Sequence, residues 1–212
     1  MEIYWLGHGC FRLRGRDATV VTNPCAPTTG YRIGKVPADI VTVSRDHPES
    51  NYRQAITGTP KYIDGPGEYE IAGVLLTGVH MERAADRAQG KGNVAYLIDI
   101  DDIKVCHLGD ISAVPHTDDV EAIAGPDILL IPVGGGHVLD AEKAAETVSM
   151  LEPKIVIPML YKTEAATAKD LEAVDRFVRE MGAEAKTPES RLSVTKSNLP
   201  SDTTIVLLNY RG

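Results

Sequence analysis

Residues 5–11 read Trp5-Leu6-Gly7-His8-Gly9-Cys10-Phe11 and set one histidine between two glycines at the junction of two strand-like runs. Glycines at such a junction supply a tight turn, and the flanking runs alternate as half-buried strands do. Glu2–Leu6, Cys10–Arg14 and Ala18–Thr22 are therefore expected as antiparallel strands. Working outward, Asp39–Val43 is an apolar run that ends at a polar loop, Ser44 to Asn51. Further strands are expected at Glu68–Ile71, Val74–Val79, Val94–Ile100 and Ile103–Cys106, with Asp101-Asp102 as the tight turn between the last two.

The second half changes rhythm. Asp118–Ala124 reads as a short helix, Ile128–Val133 as a buried strand, and Ala141–Leu151 as a helix with Asp140 as N-cap and Pro153 past its end. Ile155–Met159 is a fully apolar strand. Lys169–Met181 reads as an amphipathic helix with Leu171, Val174, Phe177 and Val178 on one face, and Thr204–Leu208 as a closing strand. Glu82 to Gly92 is a mobile loop by composition, and Lys186 to Ser201 has weak strand signal. Strands first and strand–helix alternation later imply sheets with helices outside them. One domain over residues 1–212 is expected.

Hydrophobic residues make up 43% of the chain and charged residues 25%, enough for a full core. Only 5% are aromatic, so that core must be aliphatic. A formal net charge of −8 argues against nucleic-acid and anionic-membrane binding, both of which want a basic face. The N-terminus has no basic, apolar leader, and no apolar run approaches the ~20 residues that span a bilayer. Cys10, Cys25 and Cys106 form no CxxC pair and read as buried small hydrophobes, which fits a cytoplasmic protein.

Four strings in order carry a resemblance: WLGHGCF, HLGD at His107–Asp110, IPVGG at Ile131–Gly135, and IVIPM-x-YKT at Ile155–Thr163. Together they resemble the small metal-dependent hydrolases of the metallo-β-lactamase fold, the branch that includes proteins similar to ascorbate-phosphate lactonase. The resemblance spans nearly the whole chain. It implies an α/β fold, a four-layer αββα sandwich with its site at one sheet edge. It also implies one or two divalent metals, usually zinc, on His-x-His-x-Asp-His and on a later His, Asp and His. Imidazoles and carboxylates suit such metals and leave room for water, whose pKa the metal lowers to ~7.

Set against that pattern, the loop here reads Ser44-Arg45-Asp46-His47-Pro48-Glu49-Ser50. The resemblance places Arg45 at the first histidine, keeps His47, puts Glu49 at the aspartate and Ser50 at the last histidine. The later histidine falls on Arg83, the bridging aspartate is kept as Asp110, and the final histidine is Leu160. A usual Thr-Asp-Pro reads Thr22-Asn23-Pro24. Two of seven positions remain, so no metal is expected, and any that binds would use His47 and Asp110. His80 is a candidate substitute ligand after a register shift, and His8 is expected to line the pocket.

The replacements follow charge. Lost imidazoles become Arg45 and Arg83, both permanently cationic. Without metal, Asp110 and Glu49 need a counter-charge, and a guanidinium can supply one bidentately. A pocket of His8, Arg45, His47, Glu49, Arg83, Asp110 and Lys162 is therefore expected to be held by Arg–carboxylate pairs. Gly134-Gly135-Gly136 lacks the Lys-Ser/Thr of a phosphate loop and reads as a packing turn. Tyr161 and Lys162 can face the pocket, while His116 and His137 carry no signal.

Three function classes result. The first is a metal-free, catalytically silent relative that binds a small anionic ligand or forms a homo-oligomer. The second is a metal-dependent hydrolase of phosphoester or lactone type with a rebuilt, mononuclear site holding one Zn or Mn. The third is metal-independent chemistry in which Arg45, Arg83 and Lys162 grip an anion and His47 acts as general base.

Overall fold

The computed structural model describes residues 1–81, 92–123, 125–184 and 187–211. In chain order the strands are β1 (Glu2–Gly7), β2 (Cys10–Arg14), β3 (Thr19–Thr22), β4 (Val36–Pro37), β5 (Ile40–Thr42), β6 (Ile56–Thr57) and β7 (Lys61–Ile63). They continue as β8 (Gly67–Ile71), β9 (Val74–Met81), β10 (Asn93–Ile100), β11 (Ile103–His107), β12 (Ile128–Pro132), β13 (Ile155–Met159), β14 (Leu192–Ser193) and β15 (Thr204–Ile205). The helices are α1 (Thr117–Ala122), α2 (Ala141–Leu151) and α3 (Val174–Glu180).

One sheet has the order β14-β1-β2-β3-β5-β7, the other β15-β13-β12-β11-β10-β9-β8, with β4 and β6 paired apart. Both sheets are mixed. β1, β2 and β3 are antiparallel neighbours, but β3, β5 and β7 run parallel. In the second sheet β8 to β11 form an antiparallel meander, and β11, β12, β13 and β15 run parallel.

Sequence explains these choices locally. Asp101 and Asp102 both have positive φ, 55° and 63°, the two-residue turn whose twist suits an antiparallel hairpin. β12 and β13 are buried at every residue, the mark of parallel strands covered on both faces. α2 starts where the Asp140 carboxylate accepts from the Lys143 N–H and ends at Glu152 in the left-handed region. Its buried stripe is Ala141, Ala144, Thr147, Val148 and Leu151.

The main core takes Ile3, Trp5, Phe11 and Leu13 from one sheet and Leu76, Tyr96, Ile98, Val105 and Leu129 from the other. A smaller cluster on the outer face of the first sheet holds Tyr4, Leu6, Cys10, Val21, Cys25, Tyr31 and Val41. Tyr96 ties the two sheets together, since its hydroxyl donates to the carbonyls of Val43 at 3.0 Å and Ile63 at 3.1 Å.

One helix differs from expectation. Lys169–Met181 is helical only over Val174–Glu180. The backbone just before it is engaged elsewhere: the Glu172 N–H donates to the Gly134 carbonyl at 2.7 Å, and the Glu172 carbonyl accepts from Lys162 N–H at 2.8 Å. Leu171 is still buried, but it packs against the glycine turn and not from a helix face. Among the described residues, no helix is long and apolar enough to cross a membrane.

Candidate functional site

The loops that follow β1, β3, β5, β11, β12 and β13 carry the residues singled out by sequence: His8, Asn23, Ser44–Ser50, Leu108–Asp110, Gly134–His137 and Leu160. In parallel strands such loops emerge at the carboxyl edge, where ligands of open α/β sheets bind. Three of these positions adopt positive φ without being glycine: His8 at 55°, Asn23 at 39° and Leu160 at 53°. All three are buried. Each such residue carries about 1 kcal/mol of strain, a feature concentrated at functional edges.

The loop after β5 is pinned before it turns. The Ser44 N–H donates to the Asn23 side-chain oxygen at 2.8 Å, and the Ser44 carbonyl accepts from Val94 N–H at 2.9 Å. Farther on, the Pro48 carbonyl accepts from Ala26 N–H at 2.9 Å, while Ser50 and Asn51 N–H both donate to the His47 carbonyl. Arg45 is thereby aimed at the turn after β11. Its Nη2 lies 2.6 Å from Asp110 Oδ2 and 3.3 Å from Glu49 Oε2. The Asp110 side chain is only 6% accessible and that of Arg45 17%, so this is a mostly desolvated, charge-assisted pair. His47 Nδ1 stands 3.3 Å from the same Glu49 oxygen, but His47 is half exposed.

The turn that presents Asp110 is held from beneath by residues that sequence reading gave little weight. Buried Asn93 donates to the Leu108 carbonyl at 2.8 Å and accepts from Asp110 N–H at 3.1 Å. Buried His107 bonds through Nε2 to the Gly9 carbonyl at 2.8 Å and accepts from Gly109 N–H at Nδ1, 3.0 Å away. Those two bonds fix the neutral tautomer with the proton on Nε2. Burial pushes the His107 pKa down to about 4, partly opposed by its bond to Gly9. Gly109 has φ 68°, and a Cβ there would lie 2.8 Å from Ser44 Oγ and collide with the Asn93 amide. Ser44 Oγ is itself buried and without a hydrogen-bond partner among the described residues.

His8 lies within electrostatic reach of this cluster. Burial lowers its pKa to about 4; Glu49 and Asp110 pull it up, and His137 and Arg45 pull it down. It is neutral at neutral pH. His137 itself pairs with Asp170 at 3.0 Å, and that bond is the main cause holding Asp170 below the usual carboxylate range. Sequence reading set His137 aside; its place directly after the glycine turn was the available signal. His116, also set aside, caps α1. No signal pointed to Asn93, whose role exists only because Leu108 and Asp110 fold over it.

His80 is exposed at the end of β9. Lys162 is exposed and has no side-chain partner among the described residues. Tyr161, expected to be able to face the pocket, is instead buried against Trp5 with ring centroids 5.2 Å apart. Arg83 lies outside the described residues, as does nearly all of the Glu82 to Gly92 loop. The three cysteines are buried, and burial raises each thiol, Cys25 to about 11 and Cys106 to about 12. They stay protonated and are poor nucleophiles.

The family description "Beta-lactamase superfamily domain" matches residues 2–160. The chain belongs to the metallo-β-lactamase superfamily. Within it, the chain is similar to a UPF0173 metal-dependent hydrolase of Methanoculleus marisnigri, 29% identical over 204 residues that cover 84% of this chain and 88% of that one. A Thermotoga maritima crystal structure described as a Zn-dependent hydrolase of the metallo-β-lactamase superfamily superposes with TM-score 0.84 at 33% identity, covering 99% of both chains. A metallo hydrolase from Ignicoccus hospitalis shares the fold, with TM-score 0.66 at 14% identity over 91% of this chain and 98% of that one.

The metal that these relatives imply can be tested against the donors present. Among the described residues no group of three or more His, Cys, Asp or Glu is placed to hold an ion. Asp110, the carboxylate that the resemblance assigns to the metal bridge, is in contact with a guanidinium, and Leu160, where the resemblance expects the final histidine, is a buried leucine. The described residues do not fit the family's metal.

Proposed function

We propose that this chain is a metal-free, catalytically silent member of the hydrolase family whose pocket binds a small anionic ligand. The Arg45–Asp110 contact at 2.6 Å, with Glu49 on the same guanidinium nitrogen, carries this reading. A cation fixed by the chain neutralises the acids, so the pocket is stable without an ion. The Arg45 side chain keeps 17% of its surface exposed, which leaves the guanidinium partly open to a carboxylate or phosphate oxygen. Exposed Lys162 is a second candidate contact for such an anion. The test is hydrolysis of phosphodiester and lactone substrates with and without added zinc or manganese, beside a thermal-shift screen of small carboxylates and phosphates. The reading expects no metal-stimulated turnover and stabilisation by at least one anion.

The relatives' names support a second reading, a metal-dependent hydrolase with a rebuilt mononuclear site. Its structural support is that His47, Glu49 and Asp110 are linked through shared contacts, with His8 in electrostatic reach of both acids. Metal-stimulated turnover abolished by Asp110→Asn would establish it.

A further inference from the structure

We infer that the outer face of β1 and β2 carries a second anion site, in which Arg12 and Arg211 take a small phosphoryl anion such as a phosphate ester or a diphosphate. This site is separate from the pocket at the loop edge and goes beyond the reading given for it. Arg12 Cζ stands 4.4 Å from the centroid of the Tyr4 ring, and Arg211 Cζ stands 4.7 Å from the same centroid. Two permanent cations are thus gathered on one ring, although like charges repel. Among the described residues neither has an acidic partner. Glu2, the acid beside them, accepts from the Tyr4 hydroxyl at 2.9 Å and pairs instead with Arg14 at 3.7 Å and Arg191 at 3.0 Å.

Strand register explains the gathering. Across β1 and β2, Tyr4 is opposite Arg12 and Glu2 is opposite Arg14, so these four side chains share one face of the sheet. β14 pairs with the other side of β1 and brings Arg191 to Glu2. Farther along that same edge of β1, the Arg211 N–H donates to the Trp5 carbonyl at 2.9 Å, which fixes the backbone from which Arg211 reaches the ring. Arg12 Nε is buried, so its guanidinium is seated against Tyr4 and does not swing in solvent. β1 runs toward His8 and β2 runs away from it, which puts Glu2 and Arg14 at the end of the sheet remote from the pocket.

Charge and shape decide the ligand class. Four arginines against one glutamate make a local positive excess on a chain whose formal net charge is −8. Such a concentration of one sign raises the local concentration of the opposite one. A carboxylate offers one charge and two coplanar oxygens, which a single guanidinium satisfies. A phosphoryl group offers up to two charges and three acceptor oxygens pointing in different directions, so it can accept from Arg12 and Arg211 at once. The acidic remainder of the chain repels a long polyanion that runs past the four arginines, so the ligand is small.

The experiment titrates inorganic pyrophosphate into the intact wild-type chain, Arg12→Gln, Arg211→Gln and Arg45→Gln by calorimetry at low salt, with circular dichroism to verify folding. The inference expects binding that weakens about tenfold in Arg12→Gln and in Arg211→Gln, since each loses a charge-assisted contact, and that persists in Arg45→Gln. Succinate, with two carboxylates, is expected to bind about tenfold more weakly than pyrophosphate. Equal pyrophosphate affinity in wild type, Arg12→Gln and Arg211→Gln overturns the inference. So does a loss confined to Arg45→Gln, which assigns the binding to the pocket and leaves the metal-free reading standing. Succinate binding as tightly as pyrophosphate overturns the phosphoryl assignment. Arg211 is exposed, so Arg211→Gln decides alone if another variant does not fold.

Discussion

Arg45 Nη2 lies 2.6 Å from Asp110 Oδ2, joining a loop residue of one sheet to a turn residue of the other across a largely desolvated edge. Breaking such a pair strands a buried charge, and replacing both partners with apolar groups does not. Arg45→Ala is therefore expected to lower unfolding free energy by about 3 kcal/mol, and the double variant Arg45→Met/Asp110→Leu to recover most of it. Urea unfolding of Arg45→Ala, Asp110→Leu and the double variant measures this. Equal losses in single and double variants would mean that the pair does not act as a unit.

Stability should fall in acid through two histidines. His107 and His8 both have folded pKa values near 4, below the ordinary 6.5, with burial the first cause in each. The unfolded chain then binds protons that the folded chain refuses, so stability is fully present above pH 6.5 and is lost as pH falls from 6.5 toward 4. His107→Gln keeps a donor and an acceptor on one side chain but does not titrate. It should flatten the pH dependence in that window by roughly half, as measured by melting temperature at stepped pH.

The turn after β12 requires glycine at its first position. A Cβ on Gly134 would sit 2.9 Å from Leu171 Cδ2 and 3.0 Å from Tyr161 Cα, and it would also collide with the Leu160 carbonyl. Gly134→Ala should destabilise by more than about 2 kcal/mol, because two of those neighbours are backbone. Gly34→Ala is the contrast: φ is 69° but nothing lies within 4 Å, so only the conformational penalty of about 1 kcal/mol remains.

What could be read from sequence follows the range of the interactions involved. α2 was legible end to end because its cap, apolar stripe and terminating Pro153 are all local. β12 and β13 were legible because strands buried on both faces read as unbroken apolar runs. The helix over Lys169–Met181 was overextended because the bonds that hold Glu172 out of it come from Gly134 and Lys162, which periodicity cannot see. In the site, Arg45, Glu49 and Asp110 were legible because the family motifs that the sequence resembles fall on these positions, just past recognisable strand ends. Asn93 and the His137–Asp170 pair were not, since their roles depend on which distant segment folds against them.

The most direct test of the central claim is the metal content of the wild-type chain purified without chelator. Zinc, manganese and iron are measured per chain before and after incubation with excess metal. A pocket neutralised by Arg45 predicts less than ~0.1 metal per chain in both cases and no thermal shift on adding metal. Close to one tightly held ion per chain, lost in Asp110→Asn, would contradict the account and establish a rebuilt metal site in its place.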